Sequence, residues 1–167
     1  MAKNIYLIGF MGVGKSTIGK LLAEKINGQL IEMDETIEAE QQTSINEIFA
    51  TQGEAYFRDL ESALVEKISS KDNQVVSCGG GVVLREENVS IMKKSGTIIF
   101  LSATPETVFE RVRYSKTRPL LNGNMSPEYI KGLMEKRRKY YEEAADITIA
   151  TDGKEKREIV RLIMEQI

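Results

Sequence analysis

The chain contains no histidine and no tryptophan, one cysteine and three prolines, and its aromatic fraction is only 7% over 167 residues. Without histidine there can be no Ser-His-Asp triad, no Cys-His pair and no His-ligated metal. With Cys78 alone there is no internal disulfide, which fits a reducing compartment. No apolar run approaches the roughly 18 residues needed to cross a bilayer. The opening Met1-Ala2-Lys3-Asn4-Ile5 carries no apolar signal region with a cleavage site. A cytoplasmic protein without a membrane partner is therefore expected. The formal net charge of −2 gives no basic excess for a nucleic-acid partner. The low aromatic content offers no obvious interface patch, so a monomer is the default.

What the chain does have is ordinary for a globular protein, 41% hydrophobic and 29% charged residues. Its length suits one compact domain, 1–167, large enough to bury a core without staples. Short apolar runs alternate with helical spacing. Ile5 to Ile8 reads as a buried strand, followed by a helix from Ser16 to Ile26 with apolar residues at Ile18, Leu21, Leu22 and Ile26. Further strands are expected at Leu30-Ile31, Val75-Val76, Thr97 to Leu101 and Ile147 to Ile149. Ser44-Ile45-Asn46-Glu47 has the form of a capping box. Helices are expected over Ala55 to Ile68 and Glu158 to Ile167. Buried strands separated by helices predict an α/β fold, a three-layer, five-stranded parallel sheet with helices on both faces and right-handed crossovers. Two stretches break the pattern: polar, helical Glu35 to Gly53, and the loop Tyr114 to Met125, whose length suggests a lid.

Gly9-Phe10-Met11-Gly12-Val13-Gly14-Lys15-Ser16 fits G-x-x-x-x-G-K-[ST], between a strand and a helix as that phosphate loop requires. Glycines let the backbone wrap an anion, so the amides from Gly12 through Val13, Gly14, Lys15, Ser16 and Thr17 can face the phosphates of ATP. Lys15 supplies a mobile positive charge for the β- and γ-phosphates, and the Ser16 hydroxyl a ligand for Mg2+. A glycine-rich turn that binds nothing is the bland alternative, and the register of strand, motif and helix disfavours it. No Asn-Lys-x-Asp guanine-reading motif is present, which points away from GTPase switching and toward a small-molecule kinase.

The acceptor side is carried by Glu32-Met33-Asp34, Phe57-Arg58-Asp59-Leu60-Glu61, Cys78-Gly79-Gly80-Gly81, Thr117-Arg118-Pro119-Leu120-Leu121 and Arg137-Arg138-Lys139-Tyr140-Tyr141. In this order and spacing, from Gly9 to Asp146, the chain closely resembles the shikimate kinase family. The resemblance implies transfer of the ATP γ-phosphoryl group to the 3-hydroxyl of shikimate, in the route to aromatic amino acids. It implies that Arg58 and Arg137 bind the substrate carboxylate, with Arg138 an adjacent competitor. It implies that Asp34 orients the hydroxyl and accepts its proton, although an N-cap role for Asp34 is also open. Gly79, Gly80 and Gly81 are implied to bring backbone amides to the substrate, with Gly80 as the contact.

On the nucleotide side, the resemblance makes Arg118 the lid residue that stabilises charge during transfer, and places the substrate-binding insertion at about 34–61 and the lid at about 114–125. Arg113 is implied to stack on adenine, with Arg111 close enough to compete, and Lys154 to be an adenine-side contact. The family usually has Asp-x-Asp after the second strand. Glu32 stands here in place of the first acid, and its contact to Mg2+ through water is expected to survive with altered geometry. The alternatives are a kinase for another small hydroxy acid, such as gluconate, and a silent nucleotide-binding module.

Overall fold

The computed structural model describes residues 3–112 and 126–167. The expected lid 114–125, Arg113 and Arg118 lie outside the described residues. The strands are β1 (Asn4–Ile8), β2 (Gln29–Glu32), β3 (Gln74–Ser77), β4 (Gly96–Ser102) and β5 (Ile147–Ala150). They form one five-stranded sheet in the order β2-β3-β1-β4-β5. Every pairing is parallel, as the sequence led us to expect. The helices are α1 (Lys15–Ile26), α2 (Met33–Gln41), α3 (Ile45–Gln52), α4 (Glu54–Ser69), α5 (Glu86–Ser95), α6 (Pro105–Val112), α7 (Pro127–Ala144) and α8 (Lys156–Gln166). A single 3-10 turn spans Val82–Leu84.

The strand order places the helices. The chain steps from β1 outward to the edge strand β2, then runs back through β3 and β4 to β5. Right-handed crossovers therefore put α1 on one face and the later crossover helices on the other. The packing agrees: α8 returns beside α1, while α4 packs on α5. All five residues of β1 are buried, as are Ile98, Ile99, Phe100 and Leu101 of β4, because each is covered from both faces. Among the described residues no helix is long and apolar enough to cross a membrane.

Three helices, α5, α6 and α7, were not among those expected from the sequence. In α5 and α7 a polar residue shares the buried face. The inward positions of α7 include Arg137 beside Ile130, Tyr141 and Ala144, and those of α5 include Asn88 beside Met92. Polar residues at core-facing positions break the apolar period. At the start of α7, Ser126 Oγ accepts from the Tyr129 amide at 3.2 Å, and Pro127 occupies the first turn.

The polar stretch 35–53 resolves into most of α2 and all of α3. Ser44 caps α3 as expected, its Oγ accepting from the Glu47 amide at 3.1 Å, and the Glu38 carboxylate takes the Ile45 amide at 2.9 Å. The N-cap reading of Asp34 is overturned. The cap of α2 is Glu32, and Asp34 sits inside the first turn, where a carboxylate favours the helix dipole while its side chain remains available to the cavity.

Candidate active site

All the strands point their carboxyl ends the same way, so the loops after β1, β2 and β3 converge on one rim, where ligands collect in open parallel sheets. The loop after β1 turns through Gly12 at φ 81° and Gly14 at φ 100°, backbone that side-chain-bearing residues rarely adopt. A Cβ on Gly12 would also lie 2.7 Å from Val112 Cγ1. Helix α1 then starts with no side-chain cap and no acidic residue in its first turn. Its leading amides and positive dipole end are thus turned to an external anion. Lys15 Nζ folds back to donate to the carbonyls of Gly9 (2.7 Å) and Phe10 (3.1 Å). Val13 is buried and contributes main chain only.

Beside this loop the Ser16 hydroxyl donates to Glu32 Oε2 at 2.7 Å. The extra methylene of glutamate therefore does not move the carboxylate out of reach. A hydroxyl and a carboxylate oxygen in contact form a hard-oxygen pair suited to Mg2+. No cluster of three or more acidic or cysteine side chains could hold a metal alone among the described residues. That fits an ion that takes few protein ligands and completes its shell with phosphate and water.

The acceptor side is built around Gly79-Gly80-Gly81. A Cβ on Gly79 would come 2.7 Å from Glu61 Oε2 and 2.9 Å from Asp34 Oδ1. On Gly80 it would meet Arg137 Nη1 at 3.2 Å, and on Gly81 it would meet Arg58 Cζ at 2.5 Å. The three glycines thus let four charged side chains close around a bare backbone. Arg58 and Arg137 are each only 8% exposed. Arg58 is held by Glu61 at 3.0 Å and Glu54 at 3.2 Å and lies over the Phe57 ring. Arg137 lies 6.0 Å from the centre of the Phe10 ring. Its neighbour Arg138 is exposed and pairs with Glu142, so of the two adjacent arginines it is Arg137 that faces the site.

One cavity of about 600 Å³ joins the halves, running from Gly12, Gly14, Lys15, Ser16 and Thr17 past Glu32 and Asp34 to Arg58, Gly79, Gly80, Gly81 and Arg137. The structure thereby brings together every site residue expected from the sequence that it describes, except Val13 and Lys154. Lys154 Nζ donates instead to the Ala150 carbonyl at 2.9 Å. Arg111, the expected competitor of Arg113, donates to the Gly12 carbonyl at 3.0 Å.

Three residues in or against the site went unassigned in the sequence. Glu61 is 1% exposed and lines the cavity; burial pushes its carboxyl pKa up, with the Arg58 guanidinium opposing. Its Oε2 has no hydrogen-bond partner. Tyr141 donates to the Gly80 carbonyl at 2.6 Å, and burial pushes its phenol pKa up to about 12 despite the nearby Arg137. The third, Lys156, abuts Gly14. A helical i, i+3 link between Arg58 and Glu61 was readable in the sequence, whereas nothing local announces the other two. Cys78 is buried and its thiol pKa is pushed up, so it is a filler and not a nucleophile.

The comparisons with known proteins agree with this geometry. The family model described as shikimate kinase matches residues 11–167. A shikimate kinase of Persephonella marina is 48% identical over 165 residues, covering 99% of both chains. The solved shikimate kinase of Acinetobacter baumannii, in complex with shikimate, superposes with a TM-score of 0.94 at 31% identity, covering 99% of this chain and 92% of that one. That of Aquifex aeolicus superposes with a TM-score of 0.84 at 41% identity, covering 97% and 94%. With a phosphate loop and a two-arginine pocket in one cavity, and with relatives matched along almost their whole length, the chain belongs to the shikimate kinase family of ATP-dependent phosphotransferases.

Proposed function

We propose that this protein transfers the γ-phosphoryl group of ATP to the 3-hydroxyl of shikimate. The observation that carries the reading is the single cavity in which Lys15 and Ser16 lie at one end, Arg58 and Arg137 at the other, and Asp34 between. Two buried forks suit a planar carboxylate, which each can bind bidentately. With the carboxylate fixed, a ring hydroxyl is presented to Asp34, which has only acceptor lone pairs and takes the hydroxyl hydrogen. The hydroxyl oxygen forms the new bond to the γ-phosphorus as the bond to the β–γ bridging oxygen breaks. ADP leaves with that electron pair, and the proton passes to Asp34. Lys15 and the α1 amides balance the phosphate charge, a task that is mostly positioning and electrostatics.

Ser16 and Glu32 are the residues to hold Mg2+, which when bound neutralises phosphate charge. Arg118 is assigned to the transferring phosphoryl group, the segment 114–125 to a lid, and Arg113 and Lys154 to the adenine side, on the resemblance in sequence alone. We take the chain as one domain acting as a cytoplasmic monomer on small molecules.

The experiment is a steady-state assay with ATP and Mg2+, offering shikimate and gluconate in parallel. Turnover of shikimate alone is expected. Arg58→Ala and Arg137→Ala should each weaken shikimate binding by about 2–5 kcal/mol, because each removes a charge partner from a closed site. Lys15→Ala should keep the fold and lose transfer. Equal turnover of gluconate, or full activity in Lys15→Ala, would overturn the reading.

A further inference from the structure

We propose that Lys156 is a second phosphate-binding lysine of this site, reaching from α8 to the polyphosphate of the bound nucleotide. The observation is its position. A Cβ on Gly14 would lie 2.6 Å from Lys156 Nζ and 3.7 Å from its Cε, so the ammonium rests on the cap of α1. Lys156 is itself the first residue of α8. A cation at the start of one helix, set against the start of another, opposes both dipoles. Arg111 adds a further positive charge on the same loop through its bond to the Gly12 carbonyl.

No acceptor answers this charge. Glu155 and Glu158 flank Lys156 on the first turn of α8, yet both are exposed, and among the described residues Lys156 has no ion pair or hydrogen bond. The contrast with the neighbouring lysines is informative, since Lys15 and Lys154 each satisfy a backbone carbonyl. Partial burial, with the Arg111 charge adding to it, lowers the Lys156 pKa, in keeping with an ammonium set against Gly14 with no acceptor beside it. Such a side chain ordinarily snorkels to solvent. Two helix starts and three cations around a loop with no acid in its first turn are instead complementary to a polyanion. The sheet topology makes this possible, because α8 returns beside α1 on the same face.

The inference rests on the phosphate loop binding nucleotide, and it is independent of which acceptor is used. The test is calorimetry on the full chain without acceptor, with ATP and with inorganic tripolyphosphate as probes. Lys156→Met should weaken both by a similar factor of about tenfold, the scale of one charge-assisted hydrogen bond, with an unchanged melting temperature. Lys156→Arg should bind both like the wild type. Lys156→Gln serves if the methionine variant folds poorly, with the same loss expected. In turnover, KM for ATP should rise while KM for shikimate holds. Unchanged affinities would overturn the proposal, and so would a loss for ATP but not for tripolyphosphate, which would place the lysine on the nucleoside. A wild type that binds ATP and tripolyphosphate yet leaves shikimate untouched would sink the acceptor assignment while leaving this one standing.

Discussion

The Tyr141 hydroxyl donates a 2.6 Å hydrogen bond to the carbonyl of Gly80, joining α7 to the loop after β3. The ring stacks on Phe100 of β4 with centroids 5.1 Å apart, so the donor is fixed by the sheet. One helical turn earlier, Arg137 sits against the same glycine. Tyr141 thus sets the spacing between Arg137, which we propose binds the carboxylate, and the backbone beside it.

Tyr141→Phe keeps the stack and leaves the Gly80 carbonyl unpaired, a cost of about 1–3 kcal/mol. The shikimate KM should rise several-fold, with the ATP KM unaffected. Equal kinetics beside a lowered melting temperature would reduce the tyrosine to a purely structural part.

Gly81→Ala tests the placement of Arg58. The backbone there, φ −102° and ψ 9°, accepts alanine without strain. The added methyl would nevertheless stand 2.5 Å from Arg58 Cζ, and the guanidinium is wedged between Glu54 and Glu61. Shikimate binding should fall as far as in Arg58→Ala, with nucleotide binding retained. A variant that binds shikimate normally would show that Arg58 has room to shift.

Glu61 predicts a pH effect on stability. Its folded pKa is raised above the ordinary 4.5, chiefly by burial and against the pull of Arg58. The folded state then holds the proton to higher pH than the unfolded chain does. Its contribution is fully present below the ordinary value and is lost as pH rises through the folded one. The melting temperature of the wild type minus that of Glu61→Gln should therefore fall from about pH 4.5 upward. A difference that grows with pH would contradict the assignment.

Glu32→Gln probes the magnesium pair. It keeps an oxygen for Ser16 but removes the charge. The Mg2+ concentration for half-maximal activity should rise several-fold, while shikimate affinity measured without nucleotide stays unchanged. No change in the Mg2+ requirement would separate Glu32 from the ion.

Much of the site was legible because it is local. The phosphate loop is contiguous, and its glycines, Lys15 and Ser16 act through backbone conformation and short reach, which spacing encodes. Arg58, Asp34 and the three glycines were recognised as a set through order along the chain. The choice between Arg137 and Arg138 was settled by which side of α7 faces the cavity. The role of Asp34 as a helix cap failed because α2 already begins at Met33, directly after β2, so the cap falls on Glu32.

The sequence by itself determined the parallel α/β fold and the phosphate chemistry, since buried runs, helical periods and the glycine loop are properties of neighbours along the chain. Only the tertiary structure decided that Glu61 is buried beside Asp34, that Tyr141 meets Gly80 across 61 positions, and that Lys156 lies on Gly14. Those contacts depend on the strand order, which brings distant helix ends to one rim through crossovers that no local pattern records.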